Sequence, residues 1–530
     1  MLALTDYVIV VVYLIVTISL GLYFARRWKG TEDFFLAGRS LTWPFIGLSL
    51  FATNISTEHF VGLAAGGNRE GLVQGGYEWI ASYCLLMLAA VFAPQYLRHK
   101  VFTIPEFFEK RYGLEARVML TCYFLAMIVL TKTSVALYSG TRVLSDLTGW
   151  DFHATMWGIG IVTAAYTIAG GLAAVVYTDA LQALILIGGS VLLSSLALGQ
   201  AGGWSGLTER LQALGRSDLL SMVKGPSSEL PFSGFLLGNF LIGGMFYWCM
   251  DQVNVQRVLG AKSVGHARAG AIFAGFLKII PVFIMVLPGV IATVILPGIK
   301  EHNDTYGVLL KELLPAGVRG FVIAALLAAL MSSLSSTFNS TSTLVARDFV
   351  ARLRPRTSER AQIWVGQAAL VLVMVLGIAC TPLIEREKTI WDYLQKVTGY
   401  LSVPFAVAGL LGILSRRVNR RGAGAAVLVG ISAGAVLFCD AEFGWGLLTS
   451  AVWKSFLHRT ALSAALSAVA MLLVSYLTAP PPRDVLDGSF ALFRGAGSPV
   501  EARRAGWIAD WRIWWWLLFG LVTFLWIRFR

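Results

Sequence analysis

Runs of about twenty apolar residues recur along the whole chain, and each is long enough to cross a bilayer as a helix. We count fourteen such spans, at 7–25, 43–66, 75–96, 118–147, 152–168, 176–201, 232–249, 267–296, 318–342, 362–382, 390–413, 422–439, 459–479 and 511–529. A soluble fold would need several wholly hydrophobic helices in each core. The composition, 56% hydrophobic against 14% charged with a mean hydropathy of +0.69, belongs instead to an all-α polytopic membrane protein whose partner is the lipid bilayer. The expected location is a cell membrane, plasma or bacterial inner.

The first run is expected to remain as a span. Met1–Asp6 carries no positive charge, and Tyr7–Ala25 is longer than the apolar part of a cleavable signal. Arg26, Arg27 and Lys29 follow it and place the first loop in the cytoplasm. Fourteen spans then put both termini outside. The inside loops near 97–117, 343–361 and 414–421 hold Arg98, Lys100, Lys110 and Arg111, then Arg347, Arg352, Arg354, Arg356 and Arg360, then Arg416, Arg417, Arg420 and Arg421. Inside loops, which also include 250–266 and 480–510, carry about 25 Lys and Arg against about 12 outside.

The net charge of +13 therefore reflects loop asymmetry rather than a nucleic-acid surface, since the basic residues are not interleaved with aromatics on one face. Trp43, Trp79, Trp150, Trp204, Trp391, Trp453, Trp507 and Trp511 lie near span ends, as an interfacial belt would. In the longest inside loop, Pro480–Asp510, Phe490, Leu492, Phe493 and Trp507 stand beside Arg494, Arg503 and Arg504, a pattern expected in the interface. The five cysteines have no metal-ligand spacing, and the six histidines form no HxxxH or HExxH pattern. No catalytic triad, phosphate loop or paired general acid and base is present, so no enzyme is expected.

One span breaks the apolar rule. Ser49–Gly67 has the length of a membrane helix, but its middle carries Thr53, Asn54, Ser56, Thr57, Glu58 and His59. Polar groups at that depth cost several kcal/mol each unless the protein satisfies them. One or two would serve helix packing. A near-continuous run instead predicts a helix interrupted at mid-depth to build a binding site. Span 7 is also odd, with GGMFYWCMDQ. Spans 2–6 and 7–11 form two groups of five, each opening on an odd helix, and an odd number of spans per group inverts the second relative to the first.

Other polar groups in the apolar runs are candidates for the same site. Glu78 opens span 3, with interfacial anchoring beside Trp79 as the alternative. Lys278 lies about eleven residues into its span with no acid nearby in sequence, so its partner must come from another helix. Asp179, near the cytoplasmic end of span 6, is either a cap or a ligand. Ser332, Ser333, Ser335 and Ser336 share a broad sector of span 9. They suit close helix packing or, with carbonyls freed where span 2 breaks, a hard-cation site. Asp179 added to it would make a second, more anionic site. Tyr77, Tyr247 and Trp248, with Gln252 and Gln395, are candidates for stacking on a polar ligand and bonding to it.

The stretches DFFLAGRSLTWPFIGLSLFATNIS, EHFVGLA, YEW, TIPEFFEKRYG, AYTIAGGLAAVVYTDALQ, FYWCMDQVNVQRVLGAKS, FLKIIPVFIMVLPG and SSLSSTFNSTSTL occur in this order. On them the chain resembles the sodium/solute symporter family, in particular its sodium–glucose cotransporter branch, over about residues 30–415. The resemblance implies a LeuT-type core of five-plus-five inverted repeats. The expected division is an extra N-terminal helix in 1–30, a transport core in 31–415 and peripheral helices in 416–530.

The resemblance also implies Na+ bound by backbone oxygens of Ala52, Ile55 and Ala329 and hydroxyls of Ser332 and Ser333. A second Na+ would use Asp179 and Ser335, with Ser336 beside them. A sugar or polyol would contact Asn54, His59, Glu78, Lys278 and Gln395, with Tyr247 stacking on it beside Trp248. Gly244 departs from the resemblance, which implies a polar ligand-contacting residue there. The nearest alternative solute is a sialic acid, an amino acid or a carboxylate. A sensor or an ion channel on the same fold has less support. No cytoplasmic output domain is visible, and the polar cluster has the character of a ligand site. Glu58 has no role assigned by the resemblance.

Overall fold

A computed structural model describes residues 2–24, 29–385, 390–482, 485 and 510–530. Among these the regular secondary structure is helical, and the only extended pairing is an isolated bridge between Leu41 and Ala261. The long and site-forming helices are α1 (Leu4–Phe24), α2 (Trp43–Asn54), α3 (Thr57–Glu70), α4 (Leu72–Arg98), α5 (Leu114–Thr148), α6 (Phe152–Gln200), α7 (Phe232–Cys249) and α8 (Gln252–Leu259). They continue as α9 (Val264–Ile295), α10 (Val318–Leu353), α11 (Glu359–Ile384), α12 (Ile390–Leu414), α13 (Arg420–Phe443), α14 (Phe456–Leu477) and α15 (Trp511–Arg528).

Eleven helices among the described residues are long and apolar enough to cross a membrane, where the sequence suggests fourteen spans. Each difference has a local cause. Spans 5 and 6 are joined in α6, which turns at Gly171 (φ +59). Only glycine adopts that backbone freely, and a Cβ there would meet the Phe34 carbonyl. Span 2 is split into α2 and α3, each too short to cross alone. The arginines and tryptophans of α15 lower its hydropathy.

The core sits where α10 packs along α6 and where α2 packs on α9. Asp6 of α1 accepts from the Gly317 and Gly320 N–H groups at 2.7 and 2.8 Å, which satisfies the start of α10. On the side of the basic loops, Arg117 pairs with Asp348 at 2.6 Å, and Arg111 donates to carbonyls of Gly412 and Val418. The α14 helix packs against α7, and α15 packs against α4 and α9.

The interfacial belt needs one correction. Trp43, Trp150 and Trp204 are exposed on the protein surface, but Trp79 is fully buried, with its ring 5.6 Å from that of Trp526. It is covered because α15 lies over the end of α4 it occupies. Arg26 and Arg27, the side chain of Trp391, and Phe490, Leu492, Phe493, Arg494, Arg503, Arg504 and Trp507 lie outside the described residues.

Candidate functional site

The expected interruption falls between α2 and α3. Ile55 ends α2 with an extended backbone (φ −81, ψ 107), which takes its carbonyl out of the helical ladder. The last carbonyls of α2 need partners from elsewhere. Serines of α10 supply them. Ser332 Oγ donates to the Ala52 carbonyl at 2.9 Å and to the Ala329 carbonyl at 3.0 Å. Ser333 Oγ donates to the Thr53 carbonyl at 3.1 Å. The structure thus gathers Ala52, Ala329, Ser332 and Ser333 around the end of α2, where Ile55 leaves the helix. The donor set is oxygen only, which suits a hard cation.

A second cluster lies beside it. Asp179 Oδ2 accepts from Ser49 Oγ at 2.6 Å, Thr53 Oγ1 at 3.3 Å and Ser336 Oγ at 3.4 Å. Its Oδ1 is buried and has no hydrogen-bond partner among the described residues. Ser336 faces Asp179, whereas Ser335 donates to the Ser332 carbonyl of its own helix at 3.0 Å. The sequence reading missed Arg257 of α8. Its guanidinium is buried, donates to Ser49 Oγ at 3.0 Å and Ser336 Oγ at 2.5 Å, and stands 3.8 Å from Asp179.

The third cluster faces a cavity bounded by α2, α3, α4, α5, α7, α8, α10, α12 and α14. Lys278 finds its partner across helices, as its isolation in sequence requires. Its buried ammonium donates to Glu78 and to Asn54 Oδ1. Asn54 Nδ2 donates to the Tyr247 hydroxyl at 3.0 Å. His59 Nδ1 accepts from the Ser56 N–H at 3.4 Å, so in the neutral ring the proton is on Nε2. That nitrogen lies 4.0 Å from Glu78. Tyr247 and Trp248 meet edge to face, with centroids 5.3 Å apart. Lys278 Nζ also lies 5.4 Å from the Trp248 ring.

Tyr247 is held by the way α7 ends. The helix stops at Met250, and Asp251 starts α8 by accepting from the Val253 N–H at 2.9 Å. Carbonyls left over at the end of α7 are satisfied locally. Asn254 donates to the Tyr247 carbonyl at 2.9 Å, and the Tyr96 hydroxyl donates to that of Cys249 at 2.7 Å. Both odd helices are therefore broken, α2 from α3 and α7 from α8, and their breaks lie at the same site.

Asn54, His59, Tyr77, Glu78, Tyr247, Trp248 and Gln395 all line the cavity. Gln252 does not. Its Oε1 accepts from the Ile104 N–H at 2.8 Å, because α8 turns it toward the start of the short helix Ile104–Tyr112. Sequence reasoning also missed Lys132 and Asp251, which pair at 2.7 Å on the cavity wall, with Lys132 Nζ 5.2 Å from the Tyr247 ring. A lysine in the middle of an apolar run was the available signal for the first. Glu58 lines the cavity too, and its Oε2 has no hydrogen-bond partner among the described residues.

Replacing Ser332 or Ser333 by alanine is expected to raise the half-saturating sodium concentration at least tenfold. Solute affinity at saturating sodium should stay within about threefold of the parent. Sodium titration of solute binding checks both numbers.

The sequence over residues 34–430 matches the family model described as the sodium:solute symporter family. Sodium/glucose cotransporter 4 of Mus musculus is 35% identical over 526 residues, covering 91% of this chain and 76% of that protein. Sodium/myo-inositol cotransporter 2 of Homo sapiens is 33% identical over 527 residues, covering 91% of this chain and 78% of that one. Among solved structures, a Na+-coupled sialic acid symporter in a substrate-bound outward-open state aligns with a TM-score of 0.77 at 22% identity, over 90% of this chain and 99% of that one. Mhp1, a nucleobase-cation-symport-1 family transporter in a closed conformation, aligns with a TM-score of 0.58 at 15% identity, over 87% and 99%. The last two likenesses bear on the fold, which is of the LeuT type.

Proposed function

The chain belongs to the sodium:solute symporter family, and from that premise we propose that it is a secondary active symporter importing a sugar or polyol-like solute with sodium by alternating access. It is a multi-pass membrane protein, assigned here to the plasma or bacterial inner membrane. We take 31–415 as the transport core, with 1–30 an added helix and 416–530 peripheral apart from the residues that α14 lends to the cavity. The relatives are named as cotransporters, in keeping with transport rather than catalysis.

The observation that carries this reading is the sharing of one broken helix by two constellations. The end of α2 presents carbonyls to Ser332 and Ser333, and the next residues present Asn54 and His59 to the cavity. An ion bound at Ala52, Ile55, Ala329, Ser332 and Ser333 would order the same backbone that aims Asn54. Ion and solute are thereby coupled through a few residues, as linkage requires. The unpartnered Oδ1 of Asp179 supports a second sodium there, with Ser336 closer to it than Ser335.

The charges at the solute site favour a neutral ligand. Lys278 is paired with Glu78, and Lys132 with Asp251, so each ammonium already has a carboxylate counter-charge and the site holds no uncompensated cation for a substrate carboxylate. What faces the cavity is carboxylate, carboxamide, imidazole and phenol, with aromatic rings for the apolar face of a sugar. Names of the relatives, glucose and myo-inositol cotransporters, agree with that class.

Sodium binding first would favour an outward-open state, after which solute binds and the outer gate closes. Inward opening releases both. The test is equilibrium binding of D-glucose and myo-inositol to purified protein in sodium and in potassium. At least one should bind tenfold or more tightly in sodium, and should raise sodium affinity by the same factor. Equal affinity in the two cations would sink the coupling.

A further inference from the structure

The middle of α7, Phe235–Gly244, is wound as a π-helix. That winding stacks residue i on residue i+5, and such turns recur at functional sites. Here it sets Asn239 against Gly244. The Asn239 Oδ1 lies 2.8 Å from where a Cβ on Gly244 would be. Gly244 has an ordinary helical backbone (φ −67, ψ −40), so its conformation does not call for glycine. What the missing side chain leaves is the room that the carboxamide fills. Both residues line the solute cavity, with Gly238 and Gly243 leaving the wall around them bare.

Asn239 is half-buried, and no hydrogen bond to its side chain is found among the described residues. Its carboxamide therefore leaves both a donor and an acceptor open to the cavity. Asn54, His59, Glu78, Tyr247, Lys132 and Asp251 on the same cavity wall each already have at least one hydrogen bond within the protein.

We infer that Asn239 is a solute-recognition residue, its carboxamide hydrogen-bonding one hydroxyl of a polyhydroxylated neutral solute, and that Gly244 is small to admit it. This rests on the sugar or polyol reading above. The carboxamide both donates and accepts, so it suits a hydroxyl better than a carboxylate. A site that bonds a specific hydroxyl rejects the analogue lacking it, because the protein group is then left unpaired.

The experiment measures binding to the full chain at saturating sodium, using D-glucose, myo-inositol and the monodeoxy analogues of each. The wild type is expected to bind one parent compound and to bind one of its deoxy analogues at least tenfold more weakly. Asn239→Ala should weaken the parent compound by a similar factor and no longer distinguish it from that analogue. Asn239→Leu, close in size but without hydrogen bonds, should do the same. Adding Gly244→Ser to Asn239→Ala should recover part of the affinity, since the serine enters the space vacated. Sodium affinity without solute should be unchanged in each variant, which separates lost recognition from lost folding. Parent affinity within twofold in Asn239→Ala, with the deoxy profile intact, would overturn the inference. If the wild type binds none of these compounds in sodium, the sugar or polyol reading falls instead and takes this inference with it.

Discussion

Exchange of Lys278 for alanine is expected to abolish solute binding at any practical concentration while sodium still binds. The ammonium is fully buried and is shared between Glu78 and Asn54 Oδ1. Removing it leaves a buried carboxylate without its counter-charge, and breaking such a pair from one side costs about 3–5 kcal/mol. That cost falls on the fold; to the extent that it displaces Glu78 and Asn54 from the cavity, about 1.4 kcal/mol per tenfold makes it a loss of up to roughly 10² to 10³ in solute affinity. The loss falls on the solute because Glu78 and Asn54 face the cavity, whereas Ser332 and Ser333 do not depend on Lys278. Glu78→Ala should behave in the same way for the opposite reason, leaving a buried ammonium unpaired.

Two controls separate recognition from folding. The pair Glu78→Gln with Lys278→Met removes both charges and should be more stable than either alanine variant, since neither leaves a lone charge behind. It should still fail to bind solute. Sodium affinity should remain within about threefold in all of them. Solute affinity within twofold of the parent in both single variants would remove Glu78 and Lys278 from the site.

The second large effect concerns Asp179. Asp179→Asn is expected to lower the number of sodium ions moved per solute and the Hill coefficient for sodium, with solute binding still measurable. The consequence for transport is steep. One charge crossing 100 mV contributes about 2.3 kcal/mol. A tenfold gradient adds about 1.4 kcal/mol. One ion then supports roughly 500-fold accumulation and two roughly 10⁵-fold, from the same constants. Arg257 makes this test a sharp one. Its guanidinium stands 3.8 Å from Asp179 and already bonds Ser49 and Ser336. If Asp179 serves only as the counter-ion of Arg257, the substitution should destabilise the fold and leave the stoichiometry alone. An unchanged sodium-to-solute ratio in accumulated, folded protein would count against a second sodium.

The broken helix was legible in the sequence because membrane helices have few reasons to carry six polar groups within seven positions, and a site is one of them. Lys278 was legible for the same reason, and its isolation in sequence correctly implied a partner on another helix. The identity of that partner was not derivable from spacing, because Glu78 lies 200 positions away and only the packing of α4 on α9 joins them. Arg257 was hidden in the stretch 250–266, expected as an inside loop, where a charge ordinarily faces water. Gln252 and Trp79 misled because their roles depend on rotation and cover. The α8 helix turns Gln252 to the Ile104 backbone, and α15 covers Trp79. Asn239 gave no signal at all. A single asparagine in an apolar run reads as packing, and the π winding that turns it toward Gly244 is not written in any local motif.

The span count shows the same limit. Apolar periods located the helical material, yet joints and breaks within it depend on single residues. Gly171 lets α6 run on through a bend, and Ile55 stops α2 short. Composition averages over both.

The most direct measurement of coupled transport is uptake of labelled D-glucose, myo-inositol, sialic acid and an amino acid into proteoliposomes. Each is measured with an inward sodium gradient and with sodium equal on both sides. Accumulation of a sugar or polyol above its external concentration only under the gradient, abolished by a sodium ionophore, is the predicted result. No gradient-driven uptake of either D-glucose or myo-inositol, with active uptake of sialic acid or the amino acid in the same vesicles, would contradict the account.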